Sequence, residues 1–121
     1  RIVSGNDRAL VLSAYKSADI FLLGSEVECA PLVMYESFAA KLPFITTDVG
    51  NVKDHRDYIK IVRTPEEMAD AARHFLDSPE ERKNLAEKAF HVWHTRHTWQ
   101  NIAERYEELF RALCSCPKES A

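Results

Sequence analysis

Glycine is scarce in this chain, with three in 121 residues, at positions 5, 24 and 50. A Gly-x-Gly-x-x-Gly loop lets a dinucleotide pyrophosphate approach the backbone after a first strand. Three isolated glycines cannot form one, so a nicotinamide dinucleotide domain is excluded. Cysteine is sparse and odd in number. Cys114 and Cys116 stand one residue apart, a gap that suits neither a usual disulfide nor a zinc knuckle. With Cys29 they read as reduced thiols, which points to a cytoplasmic protein. No apolar run approaches the roughly 18 residues of a membrane span. No charged n-region leads into an apolar h-region, so no signal peptide is expected. An excess of positive charge is missing too. The net charge is −3 at pH 7, which leaves no electrostatic footprint for nucleic acid or an anionic membrane.

What is present is an ordinary globular balance, 45% hydrophobic and 29% charged residues, enough for one domain that buries about two-thirds of its unfolded surface. Helix-like and strand-like segments alternate. Arg8 to Ser17 carries Leu10, Ala14 and Ala18 at helical spacing, with Val11 and Tyr15 beside them. The run Ile20-Phe21-Leu22-Leu23, within Asp19 to Leu23, predicts a short strand buried on both faces. Pro31 to Lys41 predicts a helix with Pro31 at its first position. Pro43 to Thr47 predicts a second strand, closed by a turn at Asp48-Val49-Gly50. A short helix over Asn51 to Arg56 and a third strand over Tyr58 to Val62 follow. Thr64-Pro65-Glu66-Glu67 and Ser78-Pro79-Glu80-Glu81 each predict a capping box. They open helices that hold Met68, Ala72, Phe75 and Leu76, then Leu85, Ala89, Val92 and Trp93. A last helix from about Thr98 carries Trp99, Ile102, Tyr106, Leu109 and Leu113, a stripe read as core or domain docking. Strands alternating with helices imply a parallel sheet. Ile2-Val3 reads as the end of a fourth strand.

The segment Ser25-Glu26-Val27-Glu28-Cys29-Ala30-Pro31-Leu32-Val33-Met34-Tyr35-Glu36 lies between a parallel strand and a helix. Ligands of open α/β sheets bind at such carboxyl ends of strands. A helix start offers unpaired N–H groups and the positive end of a dipole, which suits phosphate. Pro31 has no N–H, so Leu32 and Val33 are the expected donors. Glu28 stands just before the helix and Glu36 lies inside it. A carboxylate only accepts hydrogen bonds, which suits sugar hydroxyls.

Seven residues separate Glu28 from Glu36. Around them stand Ala18-Asp19-Ile20-Phe21, Ser25, Pro31-Leu32-Val33, Ala39-Ala40, Pro43 and Asp48-Val49-Gly50. In that context the pair resembles the Glu-x7-Glu signature of retaining GT-B glycosyltransferases of the family-4 type, over roughly Ser4 to Leu113. The resemblance implies an α/β fold: a three-layer, Rossmann-like parallel sheet, the second half of a GT-B C-terminal domain, with C-terminal helices. It implies a partial nucleotide-sugar-binding domain over residues 1–113, its terminal helices starting near 79, and a tail over 114–121. It places Glu28 on the transferred sugar as the catalytic contact and Glu36 on the ribose hydroxyls. Leu32 and Val33 fall on the diphosphate, with Ala30, Pro31 and Ser25 around them and Gly5 near the base. The implied partners are a nucleotide diphosphate sugar as donor substrate and an acceptor glycan, lipid or small molecule held by an N-terminal domain upstream. No cofactor and no metal are expected.

The chain departs from that pattern in two places. Cys29-Ala30-Pro31 stands where the family often has Gly-Phe-Gly, and Lys41 replaces a helix-terminal glycine, at a cost of about 1 kcal/mol if it adopts the left-handed conformation. The basic pair expected to neutralise the diphosphate belongs to earlier strands, so the chain alone is expected not to transfer sugar. Asp54 and Asp57 flank His55-Arg56 without forming an Asp-x-Asp metal motif, and Lys53 reads as a surface charge. His91, His94 and His97 drift around a helix by about 60° per step, so they read as solvated rather than as a metal site. Asp19 reads as structural, holding the loop that follows. The alternative function is a non-catalytic α/β interaction or scaffold domain. A phospho-receiver is excluded because Asp19 opens its strand and Asp48 stands alone.

Overall fold

The computed structural model describes residues 7–115. The expected fourth strand at Ile2-Val3, Gly5 and Cys116 lie outside them. The described elements are α1 (Arg8–Ser17), β1 (Phe21–Leu23), α2 (Leu32–Ala39), β2 (Phe44–Thr47), a 3₁₀ turn (Val52–His55), β3 (Lys60–Val62), α3 (Pro65–Asp77), α4 (Pro79–Val92), a π-helical turn (Trp93–His97) and α5 (Trp99–Ser115). The strands form one parallel sheet in the order β1-β2-β3. Helix thus alternates with strand as expected, except that a 3₁₀ turn replaces the helix between β2 and β3.

Helices cover both faces of the sheet. On one face Phe44 packs with Met34 and Phe38 of α2 and Ala89 of α4, with Phe21, Leu23 and Ile61 against them. On the other, Ile45 and Val62 pack with Ala71 and Phe75 of α3. Adjacent strand residues point to opposite faces, which is how Phe44 and Ile45 enter different clusters. Leu22 corrects the expectation of a strand buried on both faces. It pairs in register with Ile45, yet it is 50% exposed while Ile45 is fully buried. Among the described residues, the α3 face is covered over β2 and β3 and left open over β1.

The element ends follow local chemistry. Asp7 accepts from the Leu10 amide and starts α1. Pro31 is the residue before α2 rather than its first residue, and its carbonyl accepts from Met34. At the other end Lys41 adopts φ 56°, with Lys41 N–H donating to Phe38 and Leu42 N–H to Ser37. That pair of bonds is a Schellman motif, which normally selects glycine. The Lys41 ammonium lies 3.0 Å from Glu87 and 4.5 Å above the Phe90 ring, tying α2 to α4. Asp19 pairs with Arg82 of α4 at 3.4 Å rather than holding the loop that follows it.

Candidate functional site

The site is built where β1 and β2 end. The loop from Gly24 to Pro31 leaves β1, and the turn at Asp48-Val49-Gly50 leaves the neighbouring β2. The two segments are sewn together. The Thr47 hydroxyl donates to the Ser25 carbonyl at 2.5 Å, and the Asn51 amide donates to the Cys29 carbonyl at 3.0 Å. Gly50 holds φ 53°, and a Cβ there would stand 2.3 Å from the Cys29 carbonyl oxygen. Only glycine permits both that backbone conformation and that approach. The β2 turn is therefore a backstop for the backbone of Glu28 and Cys29.

Against that backstop the Ser25 hydroxyl donates to Glu28 at 2.9 Å. Glu28 and Ser25 are half-buried, and Ala30 and Cys29 are exposed. Helix α2 starts after buried Pro31 with no side chain capping it. Among the described residues, no group accepts from the amides of Leu32 or Val33. These two donors stand four and five residues after Glu28 in the chain, at the positive end of the helix dipole. Leu32 is 64% exposed and Val33 half-buried.

Glu36 lies one turn further along α2, on an exposed position, where its carboxylate accepts from the Tyr15 hydroxyl of α1 at 2.8 Å. Burial, reinforced by that bond and by the Glu36 charge, raises the Tyr15 phenol well above its ordinary range. The two glutamates are thus held by different partners: Glu28 by its own loop, Glu36 by a neighbouring helix. Lys53 pairs with Asp48 at 3.0 Å, as a surface charge would. Gly5 lies outside the described residues.

A second polar cluster escaped the sequence reading. His55, 5% exposed, sits between two tyrosines, with Nε2 3.1 Å from the Tyr35 hydroxyl and Nδ1 2.6 Å from the Tyr58 hydroxyl. A neutral imidazole donates at one nitrogen and accepts at the other, and a tyrosine hydroxyl can complement either. His97 closes the cluster, its ring 4.9 Å from Tyr35 and 5.6 Å from His55. His97 is therefore half-buried rather than solvated. The π-helical turn that carries it begins where the Thr95 hydroxyl donates to the His91 carbonyl at 2.8 Å, a side-chain bond that competes with the helical ladder. The cluster borders a cleft of about 670 Å³ that also reaches Asn51, Arg96 and Arg105. Glu28 and Glu36 line no part of it. Among the described residues, no three His, Cys, Asp or Glu side chains converge as metal ligands would.

The stripe on α5 is not core. No residue of α5 is buried, and Trp99 is 82% exposed. Cys29 and Cys114 are free thiols. No described helix is long and apolar enough to cross a membrane.

The chain matches the model of the family described as glycosyl transferases group 1 over residues 1–92. It is 30% identical over 115 residues to the D-inositol 3-phosphate glycosyltransferase of Corynebacterium urealyticum, a match covering 90% of this chain and 27% of that protein. Sucrose-phosphate synthase from Thermosynechococcus elongatus is similar in fold, with a TM-score of 0.81 at 22% identity, over 93% of this chain and 30% of that one. The chain therefore spans under a third of the length of either protein.

Proposed function

This chain belongs to the glycosyl transferases group 1 family, and on that premise we propose that it is the donor-binding part of a glycosyltransferase. Its reaction would move a sugar from a nucleotide diphosphate sugar to an acceptor with retention of configuration. The observation that carries the reading is the uncapped start of α2. There the Leu32 and Val33 amides lie between a half-buried Glu28 and an exposed Glu36. Backbone donors at a helix N-terminus suit a diphosphate. Carboxylates before and after them suit hydroxyls of the sugar and of the ribose.

Glu28 is the catalytic contact of this reading. Held by Ser25, it presents a fixed negative charge to the sugar, where positive charge develops at an oxocarbenium-like transition state. Glu36 binds the nucleoside side. Ala30 and Pro31 shape the wall between them, small and rigid enough for close approach. Gly5 is assigned to the base side on the resemblance alone. No resident cofactor is assigned. The acceptor, whether glycan, lipid or small molecule, is assigned to a domain upstream, and further basic partners for the diphosphate are assigned to earlier strands of this same domain. The isolated chain accordingly transfers no sugar in this reading. Free Cys29 and Cys114 fit the reducing cytoplasm.

Calorimetric or NMR titration with UDP, GDP and ADP tests the donor site. One of the three should bind, and Glu36→Ala should weaken it by about tenfold, the loss of charge-assisted hydrogen bonds. Equal binding by the variant would remove Glu36 from the site. The second reading, a non-catalytic interaction or scaffold domain, is favoured by the exposed apolar stripe of α5. A folded chain that binds no nucleoside diphosphate would support that reading instead.

A further inference from the structure

We propose that Tyr15 is a positioning residue, which fixes one oxygen of the Glu36 carboxylate so that the other is presented to the ribose of the donor. The proposal rests on the donor-site reading above. Tyr15 is not part of α2 or of the β1 loop; it comes from α1, twenty-one residues before Glu36. Its ring is anchored by a run of aromatic stacking. Tyr15 lies 5.5 Å from Phe21 at an interplanar angle of 13°, and Phe21 lies 5.4 Å from Phe44 at 19°. Phe44 is fully buried at the centre of the sheet. The phenol is thereby held against the core at one end and delivers its hydroxyl to Glu36 Oε2, 2.8 Å away, at the other.

Glu36 needs such a partner. It is exposed on a helix surface, and a free glutamate side chain loses much of its rotamer freedom when a ligand fixes it. A hydrogen bond already made in the empty site lowers that cost at the moment of binding. The bond also divides the carboxylate. With Tyr15 on Oε2, Oε1 and the remaining lone pair of Oε2 have no further partner among the described residues, which matches the two donors of a vicinal diol. The phenol is raised above its ordinary range by burial and by Glu36, so it remains a protonated donor throughout the neutral range.

A role confined to holding α1 against α2 would affect every ligand alike, and the test separates the two. Tyr15→Phe keeps the ring and its stacking and removes only the hydroxyl. UDP, GDP and ADP, each with its 2′,3′-dideoxy counterpart, are titrated into the 121-residue chain, Tyr15→Phe, Glu36→Gln and the double variant. Tyr15→Phe is expected to weaken the bound ribonucleotide about three- to tenfold, the range of one hydrogen bond, and to leave the dideoxy analogue within experimental error. In the Glu36→Gln background the Tyr15→Phe change should add less than twofold. An equal loss for both sugars, or no loss for either, overturns the role of Tyr15 while leaving the donor site standing. A Glu36→Gln variant that still prefers ribose, or a chain that binds none of the six ligands, overturns the assignment of Glu36 and the inference with it.

Discussion

Gly50 and Lys41 are the described residues with positive φ, at 53° and 56°, and the two solve different problems. Lys41 bears a conformational cost of about 1 kcal/mol and offsets part of it through Glu87 and Phe90. Gly50 has no such freedom. A methyl group there meets the Cys29 carbonyl at 2.3 Å, and that carbonyl is already bonded to Asn51. Gly50→Ala should therefore destabilise the fold by about 2 kcal/mol, combining an unfavourable φ with displaced backbone. It should also shift the amide resonances of Glu28 and Cys29. Urea unfolding and an amide correlation spectrum check both effects, and an unchanged midpoint would mean that the turn is not a backstop. The turn residues were legible in the sequence because glycine after Asp-Val signals a turn. What lies against that turn was not, because the Cys29 carbonyl is about twenty residues away along the chain.

At the scale of elements, the two Ser/Thr-Pro-Glu-Glu signatures look alike in sequence and behave differently. Thr64 accepts from the Glu67 amide, and the Glu67 carboxylate reaches back to Arg63. Ser78 makes no side-chain cap bond. It is the single residue between α3 and α4, and Glu81 is drawn away to His74 at 2.7 Å. Thr64→Ala should cost about 1 kcal/mol and Ser78→Ala a few tenths at most. Equal shifts in urea midpoint would contradict that distinction. The cluster at the π-helical turn adds a pH dependence. Burial lowers the His55 pKa, with the His97 charge adding and Asp54 opposing; burial lowers His97 as well, with Arg105 and Arg96 adding. Below the unfolded value of about 6.5 the unfolded chain binds more protons than the folded one. The contribution of both histidines is thus complete above about pH 6.5 and is lost as pH falls through their lowered folded values. Stability measured by urea should decline from pH 7 toward pH 5, and His97→Gln should flatten the slope. A slope unaltered by that substitution would count against the cluster. Sequence spacing placed His97 among solvated helix residues because it assumed an α-helix; the π turn rotates it onto Tyr35 and His55.

At the scale of the whole molecule, apolar surface is unevenly distributed. Leu22 on β1, Val11 and Leu12 on α1 and the α5 residues Trp99, Tyr106, Leu109, Phe110 and Leu113 are all more than a third exposed. Ile45, the register partner of Leu22, is fully buried. Ile45→Ala should cost about 2–5 kcal/mol, as core truncations do, and Leu22→Ala under about 1 kcal/mol. Similar losses at both positions, in thermal or urea unfolding, would show that the open face over β1 is covered in solution. Neither strand length nor hydrophobicity distinguishes these two residues in the sequence. The difference arises because α3 spans β2 and β3 and leaves β1 uncovered.

The sequence by itself determined the order of most elements and the parallel α/β class, and it singled out the segment from Ser25 to Glu36, between β1 and α2, as the candidate site. These follow from local signals: apolar periodicity, proline and glycine at element ends, and carboxylates spaced about a helix start. The partners of those residues were decided only by tertiary structure. That Glu36 meets Tyr15, that Gly50 supports Cys29, that His55 lies between two tyrosines and that α5 leaves most of its apolar stripe exposed all depend on which surfaces the folded chain brings together. Such contacts join residues far apart in the chain, and a hydrogen bond or a stacked ring leaves no periodic trace in the amino-acid order.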